Sequence, residues 1–269
     1  MATRIAEIDR YVTIDSPIHR LDPRIKLVVA IVFMVSCLFV ESVPTLLLAC
    51  VVLGAAIALS RVPLGRLLSS LKSLVILLVI ASLFNLFFED SGSVLLQVGV
   101  VTITTGGVLA AVLYTARFTL MLLAGALLMA TTTSIQLADA AERLLTPLER
   151  LGVPVGQAVS ALTIALRFVP TLSREAENII SAQTARGADL EGKGALAYAK
   201  ACVPLMVPLL ASSLRHAENL ARAMDARCYT GENRTRYHEM RLDGRRDGAA
   251  VAAVAVYLVV LTALNVVGL

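Results

Sequence analysis

Between Val43 and Ser60 the chain runs eighteen residues without a charged side chain. In water such a stretch would need a large core to bury it. In a bilayer it is close to the roughly 20 residues that a helix needs to cross the hydrocarbon. Four further apolar stretches follow the same logic, at residues 27–40, 70–88, 107–130 and 249–267. The first is short and relies on Arg24 and Lys26 snorkelling outward. With 57% hydrophobic and 16% charged residues, the expected class is an all-α integral membrane protein of about five transmembrane helices.

The basic residues orient these spans. Five precede the first span, Arg61 and Arg66 lie between the second and third with Lys72 at the start of the third, and fifteen lie between Thr131 and Gly248. The other two loops carry only Glu41, Glu89 and Asp90. By the positive-inside rule the N-terminus and residues 131–248 are expected in the cytoplasm and the C-terminus outside. The sequence pI of about 9.0 then reflects topology and contact with anionic lipid, with no nucleic-acid partner implied. The first 26 residues mix charges of both signs and lack a short apolar core followed by a cleavage site, so no removable leader is expected.

Three parts are therefore expected: residues 1–130 with four spans, a region at 131–248, and a last span within 249–269. In the middle part, Ser134 is expected to cap a helix that bends at Pro147 and ends at Gly152-Val153-Pro154. A second helix runs from about Val155 to Arg186, kinked at Pro170, and a third from about Ala195 to Arg227, kinked near Pro204 and Pro208. Both begin apolar enough to suggest further spans. If both crossed the bilayer, however, their similar ends would face different compartments, and Arg167 and Lys200 would sit in lipid at a cost of a few kcal/mol each. They are read as helices lying beneath the spans.

Those similar ends form a repeat. Arg174 to Ala188 is echoed forty-one residues later by Arg215 to Tyr229, with seven of fifteen positions identical and no gap. The matches include Ala-Glu-Asn (176–178 and 217–219) and a closing Ala-Arg, Ala185-Arg186 and Ala226-Arg227. Arginine at a helix end suits the helix dipole, but capping alone does not explain the matched residues upstream. Two helices that dock in grooves of two similar partners, with Arg186 and Arg227 as charged anchors, explain both features.

Other motifs carry less. Gly187 to Gly194 nearly spells a phosphate-binding loop, yet Gly194 replaces the magnesium-ligating Ser or Thr and a helix precedes it where a strand is needed. His19, His216 and His238 have no metal-ligand companions in sequence, and Cys37, Cys50, Cys202 and Cys228 show no ligand spacing. Arg117 lies about ten residues into the fourth span. It is either a functional intramembrane charge or one that pairs with Asn85 or with a neighbouring helix's carbonyls to orient the bundle. No arrangement of an enzyme active site is recognisable. A conventional permease, with Arg117 meeting an anionic solute, stands as the alternative to a docking scaffold.

Asp15 to Leu27, reading DSPIHRLDPRIKL, resembles the entry sequence of the transmembrane coupling component of energy-coupling factor (ECF) vitamin transporters. The resemblance continues through Thr132-Thr133-Ser134, Glu142 to Leu148, Leu151 to Pro154, Ala165 to Leu172, Ala185 to Asp189, Ala226 to Tyr229 and Arg234 to Arg236. It covers nearly the whole chain. It implies a non-catalytic scaffold in a prokaryotic plasma membrane that bridges two ABC-type ATPases, identical or paralogous, and a small substrate-binding membrane subunit. ATP and magnesium would be bound by the ATPases, with no cofactor in this chain. The motifs Ala185-Arg186-Gly187 and Ala226-Arg227-Cys228 would end the coupling helices. Cys228 departs from the family's usual glycine and puts the tightness of that turn in question. The Cys-Tyr form resembles the branch in which one coupling component serves several substrate-binding subunits.

Overall fold

The computed structural model describes residues 12, 14–72, 75–88, 93–98, 101–152, 155–187, 195–230 and 244–267. The protein is an all-α integral membrane protein apart from one short hairpin. Its helices are α1 (Pro23–Cys37), α2 (Val43–Ser60), α3 (Leu64–Leu71), α4 (Val75–Phe88), α5 (Thr105–Thr131), α6 (Ser134–Leu145), α7 (Val155–Ala185), α8 (Ala195–Asp225) and α9 (Gly244–Val267). The hairpin strands β1 (Val94–Val98) and β2 (Val101–Thr104) pair antiparallel just before α5.

Local chemistry sets most of the helix starts. Asp22 caps α1 by accepting the Arg24 N–H at 2.9 Å, ahead of Pro23 in the first turn. Ser42 and Thr45 form a capping box at α2, the Ser42 N–H donating to Thr45 Oγ1 at 3.1 Å. Thr104 accepts the Gly107 N–H at 3.0 Å to open α5. At α6 the cap falls one residue before the expected Ser134. Thr133 Oγ1 accepts the Gln136 N–H at 3.3 Å while Gln136 Oε1 accepts the Thr133 N–H at 3.1 Å, a reciprocal pairing that Ser134 could not complete. Pro147 does more than bend α6: the helix stops at Leu145 and a 3-10 turn (Thr146–Leu151) follows, closed by Gly152 at φ +82°.

Four helices among the described residues are long and apolar enough to span a bilayer: α2, α5, α7 and α9. The stretch expected as one span at 70–88 is broken, with α3 ending at Leu71 and α4 holding 14 residues. With 15 residues, α1 is also short of a full crossing. Conversely α7, placed beneath the spans by the charge argument, has the length and apolarity of a span.

The chain divides into two compact units. One contains the described residues between Leu145 and Glu239; the other contains those between Arg10 and Leu144 together with those from Met240 onward. The division falls at 145 and 239, so α6 groups with the helix bundle.

In the bundle unit, α5 is the central element, packing against α1, α2, α3 and α4, while α9 packs on α1 and α2. Its core joins Phe33, Cys37, Ala49, Leu53, Leu67, Leu120, Ala124, Leu127, Tyr257 and Leu261. Small residues such as Ala49 and Ala124 permit close approach of helices that lipid would otherwise solvate equally well. Outward-facing Leu47, Val51, Ile76 and Val259 remain exposed, as a lipid-facing surface requires.

Polar side chains tie the helix ends together. Buried Lys26 Nζ donates to the Thr131 carbonyl at 3.1 Å and to the His19 carbonyl at 3.0 Å, joining the start of α1 to the end of α5. Asp247 Oδ1 accepts the Asp22 N–H at 3.1 Å and so links α9 to the same corner. At the other end, Asn265 donates to the Phe39 carbonyl at 2.9 Å. Midway, Ser36 and Tyr257 hydroxyls share a hydrogen bond of 2.9 Å.

Lys26→Met should destabilise the detergent-solubilised protein by about 1–3 kcal/mol, seen as a lower melting temperature, because the buried Thr131 carbonyl and the part-buried His19 carbonyl lose their donor. His19 supplies a pH signature. Burial, and secondarily the Lys26 charge, depress its pKa below the ordinary 6.5. The unfolded chain therefore holds that proton more tightly, so the stabilisation is complete above about pH 6.5 and is lost as pH falls. Melting curves from pH 7.5 to 5 should show the native protein losing more stability on acidification than His19→Gln does.

Candidate functional site

The repeat identified in the sequence occupies the second halves of α7 and α8, and the structure gives both copies the same ending. In α7 the Arg186 N–H donates to the Gln183 carbonyl at 3.1 Å and Gly187 N–H to the Thr184 carbonyl at 2.9 Å. In α8 the Arg227 N–H donates to Met224 at 3.1 Å and Cys228 N–H to Asp225 at 2.9 Å, with Tyr229 N–H reaching back to Met224 at 3.1 Å. The α8 bonds form a Schellman turn with Cys228 at the left-handed position, φ +55°; Gly187 holds the corresponding place at φ +86°. Cys228 thus adopts the backbone that glycine would supply, and the turn after Ala226-Arg227 closes as tightly as the one after Ala185-Arg186.

In each copy the arginine is the half-helical residue between helix and turn. Arg186 and Arg227 are exposed and make no ion pair among the described residues. Ala185, Gly187, Ala226 and Cys228 beside them are exposed as well, so each guanidinium projects from a small, uncrowded helix end. Tyr229, 43% exposed, adds an aromatic surface to the second copy.

Farther back, α7 and α8 meet. Glu175 Oε2 lies 3.2 Å from His216 Nε2, the Ser212 hydroxyl donates to Glu175 Oε1, and the Phe168 and His216 rings are 6.0 Å apart between centroids. From this junction α7 continues ten residues, about 15 Å, to Ala185, while α8 starts twenty-one residues earlier, about 31 Å away. Were the helices parallel, the chain would have to bridge about 46 Å between Ala185 and Ala195. Ten Cα steps reach only about 34 Å. The two helices must therefore cross at a wide angle or run antiparallel, which separates Arg186 from Arg227 by on the order of 20–30 Å.

Arg117 belongs to the bundle unit. Its guanidinium donates to the Val40 carbonyl in the turn after α1 and lies 4.9 Å from the Tyr114 ring centroid. Val40 lies in a turn and not in a neighbouring helix, so this contact is neither of the pairings read from the sequence; the side chain of Asn85 lies outside the described residues. The loop 188–194, the imperfect phosphate-binding motif, also lies outside them, as do His238, Arg234 to Arg236 and the side chains of Lys200 and Cys202. Cys37, Cys50 and Cys228 are free thiols, and no cluster of metal-ligating side chains occurs among the described residues. The sequence reading missed the Glu175 and His216 pairing. Its signal was present, since the two residues occupy the same position in the two repeat copies.

The helical bundle and the pair of helices with matching, exposed arginine ends belong to a chain whose matches place it in a class: the transmembrane component of a transporter. The chain matches the CbiQ family, described as cobalt transport protein, over residues 15–237. It is 41% identical over 252 residues to the energy-coupling factor transporter transmembrane protein EcfT of Limosilactobacillus fermentum, covering 93% of this chain and 94% of that protein. The EcfT of Bacillus subtilis is 36% identical over 258 residues, 96% of each chain. A putative ABC transporter ATP-binding protein of Bifidobacterium longum is 39% identical over 250 residues, 93% of this chain but 32% of its own length. The chain belongs to the family of energy-coupling factor transporter transmembrane components.

Replacing Cys228 by glycine should stabilise the α8 end by about 1 kcal/mol, since a left-handed backbone penalises any Cβ. Cys228→Val should cost a comparable amount, and thermal melts of the two variants should bracket the native protein.

Proposed function

We propose that this chain is the non-catalytic coupling subunit of an ECF-type ABC importer. It binds two ATPases through its two arginine-tipped helix ends and transmits their closure to a separate membrane subunit that binds a vitamin or similar micronutrient. ATP and magnesium reside in the ATPases. The arrangement is a multi-pass subunit of the prokaryotic plasma membrane, with the N-terminus and the α7–α8 region on the cytoplasmic side and the C-terminus outside, consistent with the distribution of basic residues.

The observation that carries this reading is the duplicated helix end. Two copies of one turn, each presenting an exposed arginine and set on the order of 20–30 Å apart, suit two similar acidic grooves on two partner molecules. An arginine with five fixed donors can engage a carboxylate in two hydrogen bonds at once, which gives orientation as well as attraction. The Bifidobacterium relative adds support, because a protein named for ATP binding contains a stretch similar to this chain within a longer polypeptide. The permease alternative loses ground: the Arg117 guanidinium it would need for an anionic solute is engaged by the Val40 carbonyl.

Arg186→Ala combined with Arg227→Ala should leave the amount of the subunit in the membrane unchanged, yet reduce co-purifying ATPase or substrate uptake by at least about tenfold, the scale of losing two charged contacts. Normal uptake together with normal ATPase recovery in that double variant would reject the proposal.

A further inference from the structure

Glu175 and His216 are the second residues of their respective repeat copies, and each stands eleven residues before its own arginine, Arg186 or Arg227. The two helices therefore touch at equivalent points, and their arms extend about 16 Å from the contact to the docking ends. We propose that Glu175 and His216, with Ser212, form a joint that sets the angle between the two arms, acting as positioning residues for coupling. The inference rests on the coupling-subunit reading of Arg186 and Arg227.

The contact is suited to fixing an angle. Glu175 uses both carboxylate oxygens, one for the Ser212 hydroxyl and one for His216 Nε2, so its bonds converge from two places one turn apart on α8. Phe168, two turns before Glu175 on α7, lies beside the same imidazole. The residue in α7 and the imidazole in α8 are thus each held at more than one point, which resists rotation as well as separation. The side chains of His216 and Glu175 remain 39% and 28% exposed, so solvent screens the ion pair and its contribution to overall stability is small. Holding a geometry is the better-attested use of such polar contacts. Leverage makes the geometry matter: a 10° change at the joint moves an arm tip by about 3 Å, as wide as a hydrogen bond is long.

A bland helix contact and a positioning joint differ in what their loss does. The experiment has two readouts. Nitroxide labels at the equivalent exposed positions Ala182 and Ala223, in a chain with its native cysteines replaced, report the distance between the arms by pulsed electron resonance in the full-length protein. Uptake per ATP hydrolysed, in vesicles containing the complete transporter, reports coupling. Glu175→Ala and His216→Ala should each shift or broaden the distance distribution by at least about 3 Å and lower uptake per ATP at least fivefold, while ATPase recovery stays within twofold. The exchanged variant, Glu175→His with His216→Glu, should restore both readouts to within twofold of the native protein.

An unchanged arm distance in the single variants would overturn the joint, whatever the chain binds. A shifted distance with native uptake per ATP would overturn its role in coupling. An exchanged variant as impaired as the single ones would show that the pairing itself is not what matters and would also overturn the proposal. Failure of the coupling-subunit reading would show separately, as native ATPase recovery and uptake in the Arg186 and Arg227 double variant.

Discussion

Lipid offers no hydrogen bonds, so a carbonyl released at a helix end near the hydrocarbon is stabilised by a donor from another part of the protein. This constraint organises the membrane unit. The turn between α1 and α2 exposes the carbonyls of Phe39 and Val40, and these are met by Asn265 of α9 and Arg117 of α5. The last turn of α5 presents the Thr131 carbonyl, met by Lys26 of α1. Lys26, Arg117 and Asn265, which look out of place in apolar stretches, thus serve as donors to carbonyls at helix ends and turns. Because the donors come from different helices, satisfying the backbone also fixes which helices are neighbours.

The central position of α5 follows. It is long enough, at 27 residues, to reach both sets of connections, and it packs on α1, α2, α3 and α4. Its small residues let neighbours approach closely where hydrophobic transfer alone would give no preference for protein over lipid. The short helices α1 and α4 both pack against this longer element.

The arms of α7 and α8 follow a different logic. Their endings are determined locally, by hydrogen bonds to the last free carbonyls and by a left-handed residue, so duplication of fifteen residues duplicates a shape. The departure at Cys228 is instructive: the residue differs from glycine, yet the Arg227 and Cys228 N–H groups bond as those of Arg186 and Gly187 do. The cost is a strained residue at an exposed turn; what is kept is the presentation of Arg227. Separation of the two ends, by contrast, comes from where the helices meet and how far the chain between them can reach.

Much of this was legible in the sequence because it depends on short-range patterns. The apolar run of α2, the Asp22-Pro23 start of α1, the stop at Gly152 and the paired Ala-Arg endings all follow from neighbours within a few residues. What escaped was set by distant ones. Ser134 looks as good a cap as Thr133 until the Gln136 side chain folds back. Which unit α6 joins depends on the contacts it makes. Arg117 could be read as a functional charge or a structural one until its partner was visible. Sequence alone determined that this chain lives in a membrane and carries two like helix ends, since both are properties of local composition and repetition. Tertiary structure alone decided that Lys26 and Arg117 close helix ends, and that Glu175 meets its own counterpart, His216. Such partners are set by packing across tens to hundreds of residues, which no local pattern encodes.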